Sequence, residues 1–294
     1  MSPPLLQACG LHFGYEAGRP VLAGADLALH AGRRLAVLGP NGGGKTTLFR
    51  LLVGALVPDA GEVLLDGAAV SRTRRGLAEL REQVQLVLQD PDDQLFAASV
   101  GQDVSFGPVN LGLPPDQVRS RVAAALQALG IAELADRPTH LLSFGQKKRT
   151  AIAGAVAMRP RLLVLDEPTA GLDPAGVEEL LVTLAELHAA GTTLVVSTHD
   201  VDLAYRWADD VAVVAGGRVR VAGADTVLGD PQLLRSARLG PAWAPAAHRL
   251  LERAGLGAGP RPRTAAELYA ALDTGGAPSG RDWTEGRQAR TGAE

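Results

Sequence analysis

Lysine is nearly missing from this 294-residue chain: of its 29 basic residues only Lys45, Lys147 and Lys148 are lysines. With 35 Gly and 19 Pro, such use of arginine is what a GC-rich genome produces, and it makes any lysine inside a motif informative. The single cysteine, Cys9, can form no internal disulfide, which allows a reducing compartment. A basic excess is missing too. With 29 Lys+Arg against 32 Asp+Glu and a net charge of −3, the chain lacks the footprint of a dedicated nucleic-acid binder. No uninterrupted apolar run approaches the roughly 18 residues of a membrane-spanning helix. The N-terminus, MSPPLLQACG, has neither the basic nor the apolar part of a secretory signal. Yet 46% of the residues are hydrophobic and the mean hydropathy is +0.08. That apolarity needs a location.

The pattern along the chain is α/β. Segments 5–15, 21–32 and 33–40 alternate and break at glycines, which predicts antiparallel strands leading into one buried strand, Leu35–Leu38. A helix is expected from Lys45 to about Val53, and a second β region over GEVLLDGAAV at 61–70. From Pro114 the pattern is helical. Asp116 is a candidate cap for a helix with apolar Val118, Val122, Leu126 and Leu129, and another helix is expected from Ser143 to Met158. The apolar runs RLLVLDEP and TTLVVSTHD flank a helix closed at Gly191, the mark of a parallel sheet covered on both faces. VAVVAGGRVRVAG reads as a hairpin turning at Gly216-Gly217. We expect a main domain over 1–230, with a helical part at about 90–160, and a helical extension over 231–273 whose last helix starts with a Thr264/Glu267 capping box. Residues 274–294, polar and Gly-rich, have the composition of a disordered tail.

The segment GPNGGGKTT at 39–47 fits G-x-x-x-x-G-K-[ST] between a buried strand and a helix. Chance gives this pattern in about three of a thousand chains of such composition, before its context is counted. Asn41, Gly42, Gly43 and Gly44 let backbone N–H groups turn inward on a phosphate, and the helix N-terminus adds its positive dipole end. Lys45 supplies a movable charge for β- and γ-phosphates, Thr46 a hydroxyl for Mg²⁺, and Thr47 the next turn of the cradle. The site is therefore read as one for ATP or another nucleoside triphosphate. Asp166 and Glu167 end a strand at the sheet edge where ligands bind, and their alternation gives them different tasks. Asp166 is expected in the Mg²⁺ shell, and Glu167 is expected to orient and deprotonate the attacking water. His199 ends the next strand and can hold the γ-phosphate and the water geometry. Gln89, at the end of VQLVLQD, offers an amide to both metal and water.

This ordered set, GPNGGGKTT, Gln89, LSFGQKKR at 142–149, LLVLDEP, GLDP at 171–174 and His199, resembles the ATP-binding cassette (ABC) family over about residues 5–225. The resemblance implies a P-loop NTPase fold with a parallel core sheet, an antiparallel β subdomain, a helical subdomain and a short C-terminal extension. It implies a head-to-tail dimer, with itself or a paralogous ATPase, that sandwiches two ATP molecules. Each ATP then meets Ser143, Gly145 and Gln146 of the opposite subunit, which fits Ser143 as an N-cap that offers free N–H groups. Asp173 would lie at the dimer contact, and Tyr15 matches the aromatic that stacks on adenine. The family pattern has glycine where this chain has Phe144, whose ring would crowd the partner's nucleotide.

The stretch QDPDDQLFAASVGQDVSFGPVNLGLP narrows the likeness to ATPase subunits of energy-coupling factor importers, above all their cobalt and nickel branch. That likeness implies an integral membrane scaffold, a membrane substrate-binding subunit and a place on the cytoplasmic face of the cell membrane. The segment Asp90–Phe96 is expected to dock on the membrane partner through a short helix tipped by Leu95 and Phe96. Cobalt, nickel and a vitamin are all open as cargo. A soluble ABC switch would carry a long coiled coil or a second cassette, and this chain has neither. A small-molecule kinase has no use for LSFGQ with GLDP.

Overall fold

A computed structural model describes residues 3–253 and 262–274. The expected tail lies outside the described residues except for Thr274, which ends the last helix.

Two sheets carry the main unit. Strands β1 (Leu6–Phe13), β2 (Leu22–Leu29), β4 (Ala60–Leu65) and β5 (Ala68–Ala69) form an antiparallel sheet in the order β2-β1-β4-β5. The larger sheet is built from β3 (Arg34–Leu38), β6 (Val84–Val87), β7 (Leu162–Leu165), β8 (Thr193–Ser197), β9 (Asp210–Ala215) and β10 (Arg218–Gly223), in the order β10-β9-β3-β8-β7-β6. All its pairings are parallel except β9–β10. Strands β7 and β8 are buried at every position, which explains their unbroken apolar sequence. The β9–β10 hairpin turns at Gly216 and Gly217, both at positive φ, as a two-residue turn of the favoured hand requires.

Helix α1 (Lys45–Leu52) packs between the sheets. Its Leu48, Phe49 and Leu52 join Leu6, Leu11 and Leu22 of the small sheet and Leu35 and Val37 of the large one in a single buried core. This core fixes the strand–loop–helix unit on which the phosphate motif sits. Helix α2 (Arg74–Gln83), which the sequence pattern did not predict, buries only Leu80. Between β6 and β7 lie α3 (Val100–Asn110), also unexpected, α4 (Pro115–Ala128) and α5 (Phe144–Ala157).

Asp116 does not cap α4. The cap is Pro114, Pro115 takes the first helical position, and Asp116 falls inside the first turn, because a proline ring pre-sets the φ that the first position needs. The expected stripe holds, with Leu126 and Leu129 buried and Val118 and Val122 half-buried. Helix α6 (Pro174–Ala189) starts on the Asp173 cap, and Gly191 is the left-handed residue just beyond its end. Helices α7 (Val201–Trp207), α8 (Ala224–Leu228) and α9 (Pro231–Ser236) complete the first of two compact units, Met1–Ala242.

In the second unit, α10 (Trp243–Arg253) and α11 (Ala265–Thr274) are described. At the start of α11 the Thr264 hydroxyl accepts from the Glu267 N–H, but the Glu267 carboxylate reaches the N–H of Arg263 rather than that of Thr264. The expected box is therefore shifted by one residue on its return side. No described helix is long and apolar enough to cross a membrane.

Candidate active site

The loop 39–44 leaves β3 and curls before α1. Gly42 and Gly44 have φ of 73° and 99°, a region only glycine enters freely. A Cβ on Gly39 would meet the Val214 carbonyl at 2.5 Å, so the loop can leave the strand only as glycine. Gly44 gives α1 no side-chain cap, and its first turn carries no acid. The first N–H groups and the positive end of the helix dipole are thus left for an anion.

Lys45, 6% exposed, folds back on the loop: its ammonium donates to the Gly39 carbonyl at 3.0 Å and lies 3.4 Å from Glu167 Oε1. The other Glu167 oxygen, Oε2, is 2.9 Å from His199 Nδ1. Glu167 itself is 5% exposed, and its Oε1 has no hydrogen-bond partner. Its backbone sits at φ 46°, uncommon for a residue with a side chain and more so before a proline. The neighbouring Asp166 carboxylate accepts from Thr46 Oγ1 on one oxygen and Ser197 Oγ on the other, both at 2.5 Å. Ser197 also accepts from the Glu167 N–H at 2.8 Å. The two acids therefore face different partners, as the strand alternation predicts.

One cavity of about 570 Å³ collects this chemistry. Asn41 to Thr47 form its floor, Asp166, Glu167 and His199 one wall, and Tyr15 and Gln89 its rim. Tyr15 is 59% exposed, braced edge-on by Phe13 at 5.0 Å and within 3.3 Å of the Thr47 hydroxyl. So exposed beside the cavity, its ring offers area to a flat partner. Thr46, Gln89 and Asp166 bring hard oxygen donors to one spot, a set that fits Mg²⁺ rather than a softer ion.

Ser143, Gly145, Gln146 and Asp173 do not line this cavity. They form helix starts elsewhere. Ser143 caps α5 in a full capping box with Gln146, and Asp173 caps α6 through Gly176. Phe144 turns onto its own chain: a Cβ on Gly171 would lie 2.6 Å from the ring, which is 41% exposed.

The expected docking segment is a single 3₁₀ turn, Pro91–Asp93, on an Asp90 cap. Its apolar tip differs from the expectation. Leu95 is half-buried, and Phe96, 64% exposed, pairs edge-to-face with Phe106 of the unpredicted α3, with centroids 4.7 Å apart. Asp103 fixes this tip by accepting from the N–H groups of Phe96 and Ala97, each at 2.9 Å.

Two residues at the site escaped sequence reasoning. Ser197 ends β8 as a buried hydroxyl beside apolar Leu194–Val196, which was a usable signal. Lys148, 1% exposed, donates to the carbonyls of Glu167 at 3.0 Å and Ala170 at 2.6 Å. Burial pushes its ammonium down to about 8, against the opposing pull of Glu167 and Asp90. Its signal was the rarity of lysine itself.

A family profile described as ABC transporter matches residues 22–170. The chain is 55% identical over 239 residues to the cobalt import ATP-binding protein CbiO of Rhodobacter capsulatus, covering 81% of this chain and 85% of that one. It is 45% identical over 241 residues to the energy-coupling factor transporter ATP-binding protein EcfA3 of Clostridium perfringens, with 81% and 85% covered. Among solved structures it resembles cbiO1 of Clostridium perfringens, described as part of the ABC transporter complex cbiONQ. That match has a TM-score of 0.71 at 45% identity and covers 80% of this chain and 94% of the other.

Proposed function

The chain belongs to the ABC transporter family and is an ATPase, and from that premise we propose that it is the ATP-hydrolysing subunit of an energy-coupling factor importer for cobalt ions. It acts as a head-to-tail dimer on the cytoplasmic face of the cell membrane, beside a membrane scaffold and a membrane substrate-binding subunit. The observation that carries the importer reading is that Gln89, which lines the nucleotide cavity, stands only seven residues along the chain from Phe96 of the exposed Phe96–Phe106 pair. An exposed apolar pair joined to a cavity-lining residue by so short a segment suits a membrane protein that must sense the nucleotide. The cobalt import and energy-coupling factor relatives support the same reading.

Tyr15 stacks on adenine, and the N–H groups of 41–46 with the start of α1 take the β-phosphate. Lys45 leaves the Gly39 carbonyl and Glu167 for the β- and γ-phosphate oxygens. Thr46, Gln89 and Asp166 would hold Mg²⁺, which would supply positive charge against the phosphates. Glu167 then takes the proton of the attacking water, while His199 holds the carboxylate through Nδ1 and turns its other ring nitrogen to the γ-phosphate. Ser143, Gly145 and Gln146 of a second copy close over the γ-phosphate, with Asp173 at the seam. Closure, driven by higher affinity of the closed dimer for ATP, moves the docking tips, and hydrolysis resets them.

Uptake of radiolabelled Co²⁺ and Ni²⁺ by cells with and without this protein tests the reading. Loss of Co²⁺ uptake supports it. Loss of Ni²⁺ uptake alone moves the cargo, and unchanged uptake of both removes the metal importer.

A further inference from the structure

Only three lysines occur in the chain, and one of them is spent on backbone carbonyls. Lys148 lies in the first turns of α5, five residues after the Ser143 cap, and is 1% exposed. Its ammonium spans the turn after β7, donating to the Glu167 and Ala170 carbonyls at 3.0 and 2.6 Å. Within the turn, the Ala170 N–H also donates to the Glu167 carbonyl at 3.1 Å. On the other side the ammonium lies 5.2 Å from the centre of the Phe144 ring, which rests against Gly171. Gly171 has a φ of 77°, so no side chain is tolerated there and the ring can close on the turn. The turn so grasped begins at Glu167, whose own φ of 46° needs the surroundings to hold it.

We propose that Lys148 is a positioning residue for ATP hydrolysis: with Phe144 it clasps the 167–171 turn to the start of α5 and thereby fixes the angle at which Glu167 meets the attacking water. This rests on the reading of Glu167 as the base. The clasp also gives Phe144 a role within its own chain. Because Ser143, at the same helix start, serves the ATP held by a second copy, the clasp mechanically joins each subunit's two half-sites.

The test compares Lys148→Met, which keeps length and apolar volume but no donors, with Lys148→Arg, which keeps donors in a bulkier head. Steady-state ATP hydrolysis, nucleotide affinity and Tm are measured on the full chain, with Glu167→Gln alongside. Lys148→Met should lower kcat on the order of tenfold to a hundredfold, as a slight misplacement of a reacting group does, with KM and ATP affinity changed less than about twofold. Lys148→Arg should keep more of kcat than Lys148→Met even where its Tm is no higher. An unchanged kcat in Lys148→Met, or a kcat that merely follows Tm across the variants, overturns the proposal. A fast Glu167→Gln sinks the assignment of the base instead. A dead Glu167→Gln beside a normal Lys148→Met sinks the clasp alone.

Discussion

Nδ1 of His199 stands 2.9 Å from Oε2 of Glu167, while Lys45 holds the opposite oxygen at 3.4 Å. The carboxylate is thus gripped on both sides before any nucleotide enters. In the proposed mechanism Lys45 turns from Glu167 to the phosphates, which would free one carboxylate oxygen while Nδ1 of His199 keeps the other oriented. His199→Ala removes the grip that remains. Its kcat should fall about a hundredfold or more, within the usual range for a lost acid–base or orienting group, while ATP affinity measured by calorimetry changes little. A fall in affinity with kcat intact would make His199 a binding residue only.

The Phe96–Phe106 pair predicts a variant that fails at the membrane before it fails at ATP. Phe96 does not line the nucleotide cavity, and its backbone N–H is fixed by Asp103. Phe96→Ser should therefore reduce co-purification with integral membrane subunits by a larger factor than it reduces hydrolysis by the isolated chain. Equal reductions would mean that the tip is part of the cassette's own packing rather than a docking face.

The start of β3 gives a pH dependence with a definite sign. Burial pushes the Asp209 carboxyl up, but the Arg34 side chain and N–H, with Arg33 nearby, outweigh it and hold Asp209 below its ordinary range. A carboxyl lowered in the fold contributes stability that is complete above its unfolded value of about 4 and is lost as pH falls through the lowered one. The stability gap between the natural chain and Asp209→Asn, read from urea unfolding, should thus be largest near neutrality and shrink below about pH 4. A gap that widened on acidification would contradict the pairing.

The legible part of this protein was its buried, short-range part. The runs Leu35–Leu38 of β3, Leu162–Leu165 of β7 and Leu194–Val196 of β8 are unbroken and apolar because both faces are covered, and the 39–47 loop announces itself by its glycines. Helix α2 was illegible because RRGLAELREQ buries only Leu80, which leaves no apolar face to detect. Helix α3 hides behind Gly101, Gly107 and Pro108, and its place is set by packing against α4 and α5. The contacts of Ser197 and Lys148 with the Asp166–Ala170 segment cross sequence gaps that only the β7–β8 pairing and the α5 docking close. Spacing along the chain cannot announce such contacts. The surplus apolarity, in turn, lies in the buried strands and helices, the core between the two sheets among them, with a small exposed share at Phe96 and Phe106.

In the proposed dimer each ATP is hydrolysed between two copies, with Glu167 from one and Ser143 from the other. Mixing Glu167→Gln chains with Ser143→Arg chains tests it most directly, since each variant alone spoils both sites of its own dimer. A mixed dimer of the two keeps one site intact. Hydrolysis in the mixture should therefore rise well above the average of the separate variants, up to about a quarter of the natural rate if the chains assort at random. A mixture that stays at the average, although both variants dimerise, would contradict the shared site.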